Sequence, residues 1–336
     1  MNIRDILKDR ILVLDGAMGT MIQRYQLQEE DFRNEELKNH DVPLKGNNDL
    51  LSVTKPEVIK AIHAAYFEAG ADIVETNTFG STWVAQADYK LEDWVYRINF
   101  ESAKIAREVA DEFTAKEPNK PRFVAGSMGP TNRLASMSPD VNNPGYRAIT
   151  YDQLLEAFKE QAKALLDGGA DLLLVETITD TLNSKAALMA IDQIAEERGI
   201  QIPIMVSGTI TDASGRILSG QNTEAFLISV SHLDLLSIGL NCALGARELK
   251  PYLATLSNKS NFNISAHPNA GLPNEFGQYD ETPEDMVSQI KEFLDDGLIN
   301  IIGGCCGTTP DHIKAIAELA AKYEPREVNS RQSTVN

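Results

Sequence analysis

One unit recurs along this chain: an amphipathic helix, a glycine, and a nearly continuous apolar run of strand length. "FEAGADIVE" (67–75), "LDGGADLLLVE" (166–176) and "LDDGLINIIGG" (294–304) all read this way. A strand that is apolar at almost every position is buried on both faces, as in a parallel sheet covered by helices. Strand candidates span 11–16, 71–79, 123–130, 171–177, 203–210, 235–242, 262–270 and 299–306. Eight parallel strands joined by helices close most simply into a single-domain (β/α)8 TIM barrel, with an open doubly wound sheet as the alternative. The length of 336 residues suits a barrel with insertions. The barrel is expected over 1–325 and a polar tail or linker over 326–336.

The helices carry their own signals. "PEVIKAIHAAYFEAG" (56–70) sets Ile59, Ile62, Tyr66 and Ala69 on one face, with Pro56 in the first turn. The stretches 151–169 and 283–297 behave alike, and glycine ends each of them. Two connections are long, Gly19 to about Lys55 and 131–150. Both leave the C-terminal ends of strands, where barrel active sites form, so both read as substrate cover.

A net charge of -18 argues against nucleic acid or an anionic membrane as partner. The charged N-terminus "MNIRDILKDR" has no apolar core of a signal peptide. No apolar run is long enough to span a bilayer. Three cysteines cannot all pair, so free or metal-bound thiols in a reducing cytoplasm are expected.

Those cysteines carry the chemistry. Cys242 ends the sixth strand candidate; Cys305 and Cys306, in "IIGGCCGTTPDHI" (301–313), end the eighth. All three therefore fall at one rim of the expected barrel. Buried apolar thiols and a strained Cys305–Cys306 disulfide are the alternatives to a thiolate metal site. Zinc favours sulfur, and three protein ligands leave the fourth position open, as in catalytic sites. His267 is the histidine placed to compete for that position. Three thiolates make zinc a weak acid but a good partner for a substrate thiol, so alkyl transfer to a thiol is expected, with no protein nucleophile. Thr309 and Pro310 are expected to open the last helix, Thr309 as its cap.

The segments "LDGAMGT" (14–20), "ADIVETNTF" (71–79), "GPTNR" (129–133), "LLVETITDTLNSKAA" (173–187), "SGTITDASGR" (207–216), "GLNCALG" (239–245), "AHPNAGLPN" (266–274) and "GGCCGTTP" (303–310) resemble the homocysteine S-methyltransferase family. "KGNNDLL" (45–51) and "SGTITDASGR" resemble its cobalamin-dependent methionine synthase branch, specifically the N-terminal homocysteine-binding module. The likeness covers about residues 10–325. It implies one zinc ion on Cys242, Cys305 and Cys306, L-homocysteine as substrate and methionine as product. It also implies methylcobalamin as donor, recharged from methyltetrahydrofolate. Those cofactors belong to other modules or a partner chain, because no DxHxxG cobalamin motif follows the barrel. The chain is then expected to be a fragment of the larger enzyme or a subunit of a split one. Direct use of S-methylmethionine or betaine, and zinc or homocysteine binding without turnover, are the rival readings.

Homocysteine brings an ammonium and a carboxylate that need partners once desolvated. Asp15 and Glu176, at strand ends, are expected to receive the ammonium, and the backbone of Gly16 and Ala17 the carboxylate. Glu75, Asn77, Asn241 and Asn269 are expected in support, Asn241 by orienting the cysteine loop and Asn269 by filling the open zinc position. By the same likeness, "SGTITDASGR" is expected to face the cobalamin side.

Overall fold

Strand and helix assignments in the computed structural model cover residues 2–212 and 214–328. Eight parallel strands run through them: β1 (Leu12–Val13), β2 (Ile73–Glu75), β3 (Phe123–Met128), β4 (Leu172–Ile178), β5 (Ile204–Gly208), β6 (Ser237–Gly245), β7 (Asn263–Asn269) and β8 (Ile301–Ile302). Each pairs with its neighbours in chain order, and β1 pairs with β8. Between β1 and β2 a parallel bridge joins Leu14 to Ile73, Asp15 N donates to Ile73 O and Asp72 N donates to Val13 O. This closes the ring as the (β/α)8 barrel expected from the sequence.

The continuous apolar runs now have a reason. Alternate residues point into the barrel, where Leu12, Leu14, Ile73, Ala125, Leu172, Leu174, Met205 and Ile301 form one cluster. The residues between them, such as Val13, Val74, Val124, Leu173, Val206 and Ile238, pack outward against the helices. Both faces of each strand are thus buried against apolar partners. Helices Pro56–Glu68, Tyr151–Asp167 and Pro283–Asp295 lie where their periodicity places them, each stopping within three residues of the expected glycine. Ile59, Ile62 and Tyr66 are buried, as that helix face requires.

Each end of the chain carries a feature that the sequence alone does not identify. The charged N-terminus forms a helix, Ile3–Asp9, whose Ile3, Ile6 and Leu7 join the barrel-interior cluster. These three positions have helical spacing, but seven residues are too few for periodicity to identify. At the other end, Arg326 opens the expected polar tail yet is buried. Its guanidinium donates to the carbonyls of Ser257, Ser260 and Phe262 and to Ser257 Oγ. Asn300 Nδ2 donates to its carbonyl. Buried carbonyls at strand and helix ends need such donors, which outweighs the local polarity of the segment. Residues 329–336 of the tail lie outside the described residues. Among the described residues no helix is long and apolar enough to cross a membrane.

Candidate metal centre and substrate cavity

The rim of the barrel is built on two interrupted strands. β4 loses register with β5 between Val175 and Ile178, and β6 loses register with β7 between Asn241 and Gly245. Within these bulges Thr177 (φ 52°), Cys242 (φ 58°) and Ala243 (φ 56°) adopt left-handed backbone. Such conformations cost about 1–3 kcal/mol each in residues with a Cβ and persist only where the surroundings enforce them. Here the enforcing group is Asn241, wholly buried, which exchanges two hydrogen bonds with Thr177 across the rim.

Cys242 therefore turns from β6 toward the loop after β8. That loop is tied to β7, because Cys305 N donates to Pro268 O at 2.8 Å and Ala270 N donates to Cys306 O at 2.9 Å. Gly307 has φ +81°, and a side chain there would strike the ring of Tyr279. The three sulfurs lie within 4.8 Å of one another, with Cys242 Sγ 3.8 Å from Cys306 Sγ. Tetrahedral zinc with Zn–S bonds of about 2.3 Å sets its sulfurs about 3.8 Å apart. All three thiols are free. Hydrogen bonds from Cys242, Cys305 and Tyr279 hold the Cys306 thiol well below the usual range, so the cluster favours a thiolate there. The donor set and its spacing fit a thiolate-bound zinc ion.

The cysteines open onto a cavity of about 920 Å³. Its lining includes Asp15, Glu75, Glu176 and His267, as well as the three cysteines. Asp15 and Glu176 are almost wholly buried. Asp15 Oδ2 accepts Glu75 N at 3.1 Å, and Ser127 Oγ donates to Glu176 Oε1 at 2.5 Å. Burial pushes the pKa of all three carboxyls up; Glu176 raises Asp15 further, Glu176 and Asp15 raise Glu75 further, and hydrogen bonds from Ser127 and Glu75 partly offset the rise at Glu176. Burial alone pushes His267 down to about 3, so its ring is neutral. A cavity wall holding three carboxyls is suited to receiving a positive charge; Arg24, on the loop after β1, lines the cavity as well.

The remaining expected residues are placed as follows. Gly16 lies where a Cβ would come within 2.7 Å of Thr308 Oγ1 and 3.0 Å of the Tyr66 ring. Ala17 N already donates to Thr308 Oγ1 at 3.1 Å, so a carboxylate at this turn is left the Gly16 N–H. Asn77 Nδ2 donates to Asn48 O at 2.7 Å, bracing the loop after β1 where both residues line the cavity. Asn269 is buried with its Oδ1 unpaired and is not among the residues lining the cavity. His267 turns to Glu75 and Ser207 and away from the sulfurs. Thr309 begins the last helix, but its Oγ1 pairs with His312 Nδ1 at 3.0 Å and caps no backbone N–H.

Of the two long connections, the one after β1 lines the cavity from Met18 to Arg24 and from Gly46 to Asp49, whereas the 131–150 stretch contributes Asn132. None of the described residues of 207–216 lines the cavity. Tyr279, in the polar loop after β7, carries no signal in the sequence that marks it, since only the fold brings its hydroxyl to Cys306. The same holds for Tyr66, whose hydroxyl donates to Ala17 O at 3.0 Å and fixes the turn after Asp15.

A family model described as homocysteine S-methyltransferase matches residues 12–320. The metallated form of the homocysteine methyltransferase MmuM from Escherichia coli superposes with a TM-score of 0.72 at 22% identity, over 93% of this chain and 97% of that one. The apo form of the same enzyme gives 0.67 at 21% identity, over 94% and 97%. At such identities the structural likeness is one of fold.

Proposed function

Since this chain belongs to the homocysteine S-methyltransferase family, we propose that it activates the thiol of L-homocysteine at a zinc ion on Cys242, Cys305 and Cys306 for transfer of a methyl group, giving methionine. The observation that supports this most is the 3.8 Å separation of Cys242 and Cys306 sulfurs from strands that the barrel alone brings together. Zinc bound there supplies the Lewis acidity that favours the thiolate over the thiol near neutral pH.

The chain's own residues do the rest. Asp15 and Glu176 receive the substrate ammonium on the cavity floor, where burial makes each carboxylate a strong acceptor. Gly16 N–H faces the carboxylate. Asn241 holds Thr177, and with it the Glu176 bulge, in fixed relation to Cys242, so the amino end and the sulfur of one substrate are positioned together. The cavity walls exclude water from the reacting sulfur.

The donor in this reading is methylcobalamin carried by another module or a partner chain, as the "KGNNDLL" and "SGTITDASGR" segments suggest. A second reading has a small donor, S-methylmethionine or betaine, enter the cavity itself. It draws support from the cavity volume of about 920 Å³, which exceeds what one amino acid fills. Turnover with each donor separates them. Methionine formation from methylcobalamin and none from the small donors supports the first; turnover with betaine or S-methylmethionine alone overturns it.

A further inference from the structure

Beneath the thiol cluster lies a second group of ligating atoms. One carboxylate oxygen each from Glu75 and Glu176 and a ring nitrogen of His267 fall within 4.8 Å of one another. Glu75 Oε1 is 3.5 Å from His267 Nδ1. The other ring nitrogen, Nε2, is 3.1 Å from Ser207 Oγ. With Ser207 accepting from Nε2–H, the Nδ1 lone pair faces Glu75 and Glu176. A metal-bound imidazole is held in this way, with its far N–H fixed by a hydrogen bond. Glu176 is oriented likewise by Ser127. A further observation points to a ligand here: Asp15, also lining this cavity, is buried and its Oδ1 has no partner. Its charge falls on Glu75, and the charge of Glu176 falls on it.

From this geometry we propose that Glu75, Glu176 and His267 form a second divalent-cation site, distinct from the thiol cluster and overlapping the place of the substrate ammonium. Two carboxylates and one imidazole are harder ligands than three thiolates. The site therefore takes harder cations such as Mn2+ that the sulfur cluster does not claim. A cation there occupies Glu176 and opposes homocysteine. The overlap rests on the ammonium placement proposed above; the cation site itself does not.

Mn2+ alone is the probe, titrated into the full chain with the thiol cluster already loaded with zinc, and free Mn2+ is followed by electron paramagnetic resonance. The expected result is one saturable Mn2+ per chain. Glu75→Gln and His267→Gln should each weaken it roughly tenfold or more while keeping the zinc of the thiol cluster, which also shows that they fold. Cys306→Ser should leave Mn2+ binding unchanged. No saturable Mn2+ binding in the wild type, or equal affinity in wild type, Glu75→Gln and His267→Gln, overturns the site. Homocysteine should raise the apparent Kd for Mn2+. Binding that depends on His267 but ignores homocysteine upholds the cation site and removes the ammonium from Glu176.

Discussion

The side-chain amide of Asn241 grips Thr177 at both ends: Nδ2 donates to Thr177 Oγ1 at 2.7 Å, and Oδ1 accepts from Thr177 N at 3.0 Å. Thr177 follows Glu176 and Asn241 precedes Cys242, so this pair joins the carboxylate side of the cavity to its sulfur side. The backbone at both bulges is left-handed, and these two hydrogen bonds hold it so.

Asn241→Ala should therefore loosen both sides at once. Zinc should still bind, since all three sulfurs remain. Homocysteine kcat/KM should fall roughly 10- to 100-fold, the usual effect of removing a group that orients ligands. Metal analysis beside steady-state kinetics checks this; unchanged kinetics removes Asn241 from the site.

Loss of the metal should abolish activity without unfolding the barrel. The cysteines stand at the rim, outside both apolar clusters. A chelator, or Cys306→Ser, should lower zinc from about one per chain toward none. Circular dichroism should change little. Full zinc content in Cys306→Ser would remove the cluster as the zinc site.

Glu176→Gln should raise KM for homocysteine roughly a hundredfold while zinc content holds, because the substrate ammonium loses a buried anionic partner. Burial raises the pKa of Glu176 and Asp15. Each carboxylate is therefore lost to protonation at a higher pH than an ordinary one. Homocysteine affinity should fall as pH drops through that raised pKa, and isothermal titration between mildly acidic and neutral pH reads it directly.

Asp49 gives a stability signature. It is buried, accepts from Gly80 N and Ser81 Oγ, and burial pushes its pKa from 3.8 to about 6. Between these values the folded chain holds a proton that the unfolded chain has released. Stability therefore falls as pH rises through this window. The wild type should lose about 2 kcal/mol more than Asp49→Asn between pH 4 and pH 6. Denaturant unfolding of both proteins across that range tests the sign; parallel curves contradict it.

Arg326→Ala should destabilise the fold by about 3 kcal/mol, because buried carbonyls of Ser260 and Phe262 lose a charged donor. The midpoint of thermal unfolding should drop by several degrees with homocysteine KM unchanged. An unaltered midpoint shows that the tail is not anchored there.

Much of this protein follows from sequence alone. The apolar runs fix eight strands because each is buried on two faces, and a pattern without alternation allows little else. "GLNC" and "GGCC" mark the cysteines, and their position at strand ends puts all three on one rim. The strand-end positions of Asp15 and Glu176 place them at the same rim, and both line the cavity there. The tertiary structure decided what depends on partners distant in the chain. Thr308 takes the Ala17 N–H across 291 residues, His267 turns to Glu75 across 192 (267 − 75), and Tyr279 reaches Cys306 across 27 (306 − 279) from a separate loop. Periodicity reports which face of an element is buried, but not which side chain from another loop meets it there. The left-handed turn at Cys242 is likewise invisible in "GLNCALG", because a residue with a Cβ adopts it only when a neighbour such as Asn241 makes it the lesser cost.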